Sequence, residues 1–194
     1  QGIGHVQRGD DLAAIILDGL RDNQLEVVDG DVLVVAQKIV SKAEGRLVDL
    51  ASVQPSARAR ELAQVVQKDA RLVELVLSES SDVLRAIPQV LIVRHRLGHV
   101  MANAGIDHSN VEGGESGQVL LLPLDPDASA AALRERLQIT FDCRLGIIIS
   151  DSFGRPWRNG VVNVAIGSSG LPALIVRRGE QDMYGRTLAV TQVA

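Results

Sequence analysis

Residues 145–158 read LGIIISDSFGRPWR, and this stretch carries the strongest signal for both fold and function. It opens with an apolar run of strand length, which indicates a strand buried on one or both faces. Asp151 and Ser152 follow at the predicted end of that strand, and their oxygens are ligands that suit a hard divalent cation. Arg155 and Arg158 come next, and their guanidinium groups suit phosphate or carboxylate. The stretch therefore predicts a place where a metal ion and an anionic substrate meet.

Around this strand, the chain alternates predicted helices and strands only loosely. Helices are predicted where aliphatic residues recur at helical spacing behind a start signal, at Asp10 or Asp11, Pro55, Asp69 and Asp125. Strands are predicted at short aliphatic runs, namely residues 32–35 (buried), 90–93, 119–122, 161–164 and 188–190. The pattern predicts an α+β (mixed α/β) fold, with mixed or antiparallel sheets and flanking helices.

Composition restricts the class of protein. Of the 194 residues, 46% are hydrophobic and 23% are charged, which is typical of a soluble globular protein. Aromatic residues make up only 2% and the net charge is -4, so the stacking rings and basic surfaces of nucleic-acid-binding proteins are missing. The single cysteine, Cys143, excludes an internal disulfide. No apolar run reaches membrane-spanning length, so we expect a cytoplasmic protein without a membrane partner.

Two carboxylates from distant parts of the chain are candidates for a magnesium or manganese site. Asp107 lies in a polar, glycine-rich run three residues before Asn110, and Asp151 follows the aliphatic strand. Such ions bind one or two protein carboxylates together with phosphate oxygens. Asp107 and Asn110 are equally suited to capping their own loop. For Asp151 the functional interpretation is favoured, because a carboxylate after an aliphatic strand is not there for packing.

Three further features leave alternatives open. Residues 37–46, QKIVSKAEGR, are suited to a nucleotide loop in which Lys42 contacts a phosphate and Ser41 donates a hydroxyl, or to a solvated connection; the segment is not a Walker A loop. Trp157, which lies between two arginines, either stacks on a ring or on a guanidinium group or fills a gap in the aliphatic core. The four histidines lack ligand spacing, and neither they nor Cys143 indicate a zinc site.

The order of these motifs resembles the coenzyme F420-0:L-glutamate ligase (F420:gamma-glutamyl ligase) family, whose members add γ-linked glutamates to the F420 precursor. The matching segments are GDDL (9–12), DGDVLVV (29–35), IVSKAEGR (39–46), NAGIDHSNV (103–111), LPLDPDAS (122–129) and the runs 145–158, 160–170 and 182–190. They cover essentially the whole chain. The resemblance implies the fold of that family, a single ligase domain over residues 1–194 without the C-terminal part of the family fold, and an intertwined homodimer.

The same resemblance implies a reaction and a set of site residues. GTP, L-glutamate and F420-0 would be the substrates, with Mg²⁺ or Mn²⁺ and the monovalent cation K⁺ as cofactors. Asp107, Asp151 and Lys42 would be catalytic, and divalent metal would be held by the two aspartates together with Ser152. Nucleotide-contacting positions would be Ile3, Gly4, His5, Val6, Gln37, Lys38, Lys42 and Asn110. Arg155 and Arg158 would steer the acidic substrate. Gln37 and Lys38 differ from the Ser/Thr pair common at those positions.

Two other functions remain open. The chain begins at Gln1 and ends in strand-like sequence, so we expect the protein to continue beyond Ala194. The chain is then either a ligase by itself or the ligase half of a bifunctional protein with a flavin-dependent reductase domain. A non-catalytic relative that binds nucleotide and metal is the third possibility, and the pair Gln37 and Lys38 is its only indication.

Overall fold

The computed structural model describes residues 3–107, 117–155 and 157–193. Within these residues lie five α-helices, in chain order α1 (Leu12–Asp22), α2 (Gln37–Ala43), α3 (Ala57–Val66), α4 (Ala70–Ser78) and α5 (Pro126–Phe141). Three of them begin where the sequence predicts, because Asp11, Asp69 and Asp125 accept backbone N–H groups of the first turn. No helix among the described residues combines the length and the apolar composition needed to cross a bilayer.

The start of α3 differs from the prediction. Ser56, not Pro55, adjoins the first helical residue, and its hydroxyl accepts the N–H of Ala59 at 3.2 Å. The N–H and hydroxyl of Ser56 also donate to Glu74 of α4 at 2.8 and 2.6 Å. A proline side chain has no polar atom that could make these contacts, so Pro55 lies before the cap rather than inside the helix.

The strands in the described part of the chain form four small sheets. In chain order they are β1 (Val32–Ala36), β2 (Leu47–Asp49), β3 (Ser80–Ile87), β4 (Val90–His95), β5 (Val100–Ala102), β6 (Gln118–Leu120), β7 (Gly146–Gly154), β8 (Val161–Ser169), β9 (Ile175–Val176) and β10 (Gln192–Val193). The sheets are β1–β7–β8, β3–β4–β5, β2–β6 and β9–β10, and among the described residues only β1 with β7 is parallel. The predicted α+β fold with mixed or antiparallel sheets is therefore confirmed. The strand predicted at 188–190 is wrong, because the paired residues begin at Gln192.

Aliphatic side chains within residues 3–107, 117–155 and 157–193 form two buried clusters. The first packs α1, α2 and α5 against the β1–β7–β8 sheet, where Ile147 and Ile149 are fully buried. The second packs α3 and α4 against β3–β4–β5 and β2–β6, with Val73 and Val93 at its centre. Each fully buried aliphatic side chain contributes about 1.5–3 kcal/mol relative to exposure. The core is aliphatic, as the scarcity of aromatic residues predicts.

Strand β7 is longer than predicted, and this changes the position of Asp151. The strand continues to Gly154 because β8 pairs with it antiparallel from Ile147 to Gly154, with one shift of register between Ile149 and Ser150, so Asp151 and Ser152 lie inside the strand. What ends at this level is the parallel pairing with β1, whose last pair joins Ala36 to Ser150. Asp151 is therefore the first residue of β7 beyond the carboxyl end of β1.

Strand β1 is only half buried, whereas its aliphatic sequence predicts full burial. Val35 is buried, but the side chains of Val32 and Val34 are 44% and 60% exposed. Successive side chains of a strand point to opposite faces, and β1 lies at an edge of its sheet. The helices cover the face that carries Val35, and the other face is open within the described residues.

A buried ionic cluster joins α4 to the segments that follow α2 and β6. Glu79, at the end of α4, binds the guanidinium groups of Arg46 and Arg96 at 2.7 and 3.0 Å. Burial by itself would raise the pKa of Glu79, but the ring of His95 and the two arginines outweigh it and hold the pKa at about 2. The arginines also donate to backbone carbonyls, Arg46 to that of Leu122 and Arg96 to those at the start of the α5 connection. The cluster thus fixes the two helical layers relative to one another.

Candidate functional site

The site lies where β1 runs into α2 beside β7. Ala36 is the last residue of β1 and Gln37 is the first of α2, so no loop separates strand from helix. Because β1 and β7 are parallel, their carboxyl ends reach the same edge of the sheet. The first turn of α2 and the Asp151 carboxylate therefore meet at this edge.

Asp151 extends the buried face of β7. Ile147, Ile149 and Asp151 alternate along the strand and point to the face covered by the helices. The side chain of Gln37, only 2% exposed, accepts the Ser41 hydroxyl at 2.9 Å and donates a hydrogen bond to the Asp151 carboxylate. A buried amide held at both ends has little freedom to move, so Gln37 orients Asp151.

Asp107 approaches the same place from the β5–β6 connection. Its backbone exchanges hydrogen bonds of 3.0 and 2.9 Å with Leu120, which fixes its position. Its carboxylate lies 2.6 Å from the Nζ atom of Lys38, and both side chains are about one quarter exposed. Lys42 follows four residues later in α2, and residues at this spacing share one side of a helix. Both lysines are therefore on the side of α2 that meets Asp107.

The electrostatics of Asp151 show that the two carboxylates sense each other. Burial raises the pKa of Asp151, and the N–H of Ser152, 2.8 Å away, opposes this effect. The negative charge of Asp107 raises the pKa further, whereas the Gln37 hydrogen bond and the charge of Lys38 lower it. A cation placed between the two carboxylates would offset both the free-energy cost of burying the charge of Asp151 and the repulsion between Asp107 and Asp151.

Ser152 is positioned differently from Asp151. As the next residue of the strand it points to the opposite face, where its hydroxyl donates to Asn163 of β8 at 2.5 Å. Its side-chain oxygen is therefore not directed to the side of Asp107 and Asp151. The role of Ser152 as a metal ligand stays a prediction from the resemblance.

The other predicted residues are spread over three places. Val6 is buried in the first cluster, while Ile3 is half exposed against α1. Asn110 lies outside the described residues. Arg155 is partly buried and Arg158 is exposed, and neither forms a salt bridge within the described part of the chain.

Trp157 does not fill a gap in the core. Its side chain is 97% exposed, and its backbone adopts a positive φ of 60° in the turn between β7 and β8. The core alternative is therefore wrong, because a side chain that is 97% exposed packs against almost nothing in the protein. The exposed indole leaves stacking on another molecule as the open interpretation.

Sequence reasoning missed His99 as a neighbour of the site. Its ring lies 6.1 Å from that of Phe153, on the same face of β7 as Asp151. Burial lowers the pKa of His99, and so does His95, while Asp151 and the carbonyl of Ile166 raise it. The sequence places His99 only in the turn between β4 and β5. Its contact with β7 joins segments that are distant in sequence, so no local pattern indicates it.

The donor set fits a hard divalent cation. Two carboxylates within electrostatic range, both partly buried, supply the oxygen ligands that Mg²⁺ and Mn²⁺ prefer. No three His, Cys, Asp or Glu side chains converge into a metal-binding group among residues 3–107, 117–155 and 157–193. An ion held by Asp107 and Asp151 would therefore complete its coordination with water or with phosphate oxygens, as Mg²⁺ commonly does.

Comparison with known proteins identifies the family. A family model described as F420-0:Gamma-glutamyl ligase matches residues 2–194. The coenzyme F420:L-glutamate ligase of Methanopyrus kandleri is 47% identical over 189 residues, which are 97% of this chain and 72% of that protein. The enzyme of the same name from Methanothermobacter thermautotrophicus is 43% identical over 194 residues, 100% of this chain and 76% of the relative. That of Archaeoglobus fulgidus is 46% identical over 191 residues, 98% and 73% of the two chains. The chain therefore belongs to the F420-0:gamma-glutamyl ligase family.

Proposed function

We propose that the protein joins L-glutamate to F420-0 through a γ-linked amide in coenzyme F420 biosynthesis, at the expense of GTP. The proposal rests on family membership and on one observation of geometry. Asp107 and Asp151, distant in sequence, converge on the first turn of α2, which carries Gln37, Lys38 and, one turn later, Lys42. Paired carboxylates beside lysines are suited to a divalent cation and a phosphate chain.

The chemistry follows from the poor reactivity of a carboxylate toward amines. An oxygen of the F420-0 carboxylate attacks the γ-phosphorus of GTP, which gives an acyl phosphate and releases GDP. The amine of glutamate then attacks the acyl carbon, loses a proton, and expels inorganic phosphate. A bound divalent cation (Mg²⁺ or Mn²⁺) supplies charge neutralisation at the phosphate oxygens.

The residues of this chain have separate roles in that scheme. Asp107 and Asp151 would hold the divalent cation, and Gln37 keeps Asp151 in place. Lys42 would bring its charge to a phosphate. Arg155 and Arg158, near the β7–β8 turn, would attract the acidic acceptor and the incoming glutamate. We propose K⁺ as an additional cation and the cytoplasm as the location, in keeping with the single cysteine.

A product assay tests the function. The full-length protein is incubated with F420-0, GTP, L-glutamate and Mn²⁺, and products are measured by mass spectrometry together with released GDP and phosphate. We expect F420-0 extended by glutamate, with one GDP and one phosphate for each amide formed. Omission of GTP, its replacement by ATP and addition of a chelator are the controls. Binding of GTP and Mn²⁺ without any product would favour the non-catalytic relative instead.

The proposed partner is a second copy of the chain. Strands β9 and β10 form a sheet that pairs with no other strand in the described residues, and they expose Ile175, Val176 and Val193 by 45%, 55% and 47%. Exposed apolar side chains on one small sheet are typical of a protein interface. We expect a dimer in sedimentation velocity and a monomer for Val176→Glu at micromolar concentration. A monomeric wild-type protein would contradict this assignment.

A further inference from the structure

The ammonium group of Lys38 lies beside the carboxylates of the candidate site, where a positive charge is needed to neutralise them. Its ammonium lies 2.6 Å from Oδ2 of Asp107, and both side chains are about three quarters buried. The positive charge also reaches Asp151, whose pKa it lowers. The described site thus contains two carboxylates and an internal cation beside them.

The two carboxylates are held in different ways. The Asp151 carboxylate is bound by a neutral amide, that of Gln37, which is fixed by Ser41 inside the core. The Asp107 carboxylate is bound by a charge on a long side chain of four methylene groups. A lysine side chain moves its ammonium by several ångströms through rotamer changes alone, whereas the buried amide cannot move without disturbing the core.

A divalent ion that binds both carboxylates competes with this ammonium. An ion bound to Asp107 would lie close to the ammonium of Lys38, which is 2.6 Å from the same carboxylate, and like charges at short range repel strongly in a partly buried site. A phosphate chain removes the conflict, because its oxygens accept the ammonium and at the same time complete the coordination of the ion.

We propose that Lys38 is an exchangeable counter-ion, which neutralises Asp107 in the metal-free protein and transfers to a phosphate of the bound nucleoside triphosphate when a divalent cation takes Asp107. The inference rests on the proposed function, because it assumes that this site binds metal and nucleotide together. The consequence is that metal binding and nucleotide binding are coupled: the site binds the divalent ion weakly by itself and more tightly when a nucleotide is bound.

Titration calorimetry with Mn²⁺ tests the inference without any catalytic readout. Wild type, Lys38→Met, Lys38→Gln and Lys38→Arg are titrated without nucleotide and in the presence of a non-hydrolysable GTP analogue. Lys38→Met keeps the apolar stem of the side chain and removes the charge, so we expect about tenfold tighter Mn²⁺ binding without nucleotide. The factor by which the analogue strengthens Mn²⁺ binding should fall by a similar amount, because Mn²⁺ no longer displaces a charge.

Matched variants separate charge from structure. Lys38→Arg keeps the positive charge and should bind Mn²⁺ as wild type does. Lys68→Met removes a lysine from the connection between α3 and α4, in the other cluster, and should also bind as wild type does. Lys38→Gln carries the same expectation as Lys38→Met and replaces it if the methionine variant does not fold.

The outcomes distinguish this inference from the proposed function. Unchanged or weaker Mn²⁺ binding by the folded Lys38→Met or Lys38→Gln variant, beside a wild type that binds, overturns the counter-ion role alone. A wild type that binds no Mn²⁺ with or without the GTP analogue overturns the proposed function itself. Tighter binding without nucleotide together with reduced coupling supports the inference.

Discussion

Replacement of Asp151 by asparagine is expected to remove metal-dependent release of GDP, by about 10²–10³-fold in kcat. The substitution preserves the shape of the side chain and still offers one oxygen to the N–H of Ser152, which donates to Asp151 at 2.8 Å. It removes the negative charge that would hold a cation together with Asp107. The measurement is GDP release at saturating GTP and glutamate over a range of Mn²⁺ concentrations.

The loss of GDP release must result from removal of the charge and not from a change in folding. Thermal unfolding of Asp151→Asn should match that of wild type or show higher stability, since burial already disfavours the charged form of this carboxyl, as its raised pKa indicates. Asp82→Asn, on the exposed strand β3, serves as the control and should keep full activity. Undiminished GDP release by Asp151→Asn at every Mn²⁺ concentration would remove Asp151 from the metal site.

Replacement of Glu79 by alanine is expected to lower the free energy of unfolding by about 3–5 kcal/mol at pH 7. The substitution leaves Arg46 and Arg96 without their shared carboxylate, and the Arg46 side chain is only 15% exposed. Urea unfolding at equilibrium measures the effect. Asp82→Ala is the matched control, because its ion pair with Arg94 is more than half exposed, and the expected loss is about 1 kcal/mol or less.

The Glu79 contribution also has a defined pH range. The pKa is about 2 in the folded protein against an ordinary value of 4.5. Because the folded value is the lower one, the stabilisation is complete above about pH 4.5 and is lost as the pH falls to about 2. The difference in unfolding free energy between wild type and Glu79→Gln should therefore shrink by about 3 kcal/mol between about pH 6 and about pH 2. A difference that stays constant with pH would contradict the lowered pKa.

Local signals predicted the starts of three helices, because such a start depends on neighbouring residues. They did not predict α2: residues 37–46 were interpreted as a nucleotide loop or a solvated connection, and Ala36 before the helix provides no side-chain cap. Asp11, Asp69 and Asp125 each bond to the backbone of the turn that follows, and the sequence contains both partners. The length of β7 was not predictable in the same way. It depends on pairing with β8, which extends the strand past Asp151 through residues that look like the start of a loop.

For the site as well, the sequence indicated which residues take part but not the contacts between segments that are distant in sequence. Sequence spacing and the family resemblance singled out Asp107, Asp151 and residues 37–46, but neither indicated how they contact one another. The bonds from Lys38 to Asp107 and from Gln37 to Asp151 arise from the parallel pairing of β1 with β7 and from the bridge between Asp107 and Leu120. These pairings join distant segments, so no periodicity in the sequence indicates them.

The alternation of side chains along β7 constrains how this protein can change over time. Ile147 and Ile149 serve the core and Asp151 serves the candidate site because all three occupy the same parity of one strand. Insertion or deletion of one residue between them would turn the carboxylate to the open face and bring a serine hydroxyl to Asp107. The segment can therefore tolerate substitutions but not the insertion or deletion of a single residue, because the core residues and the site carboxylate depend on the same alternation of side chains along β7.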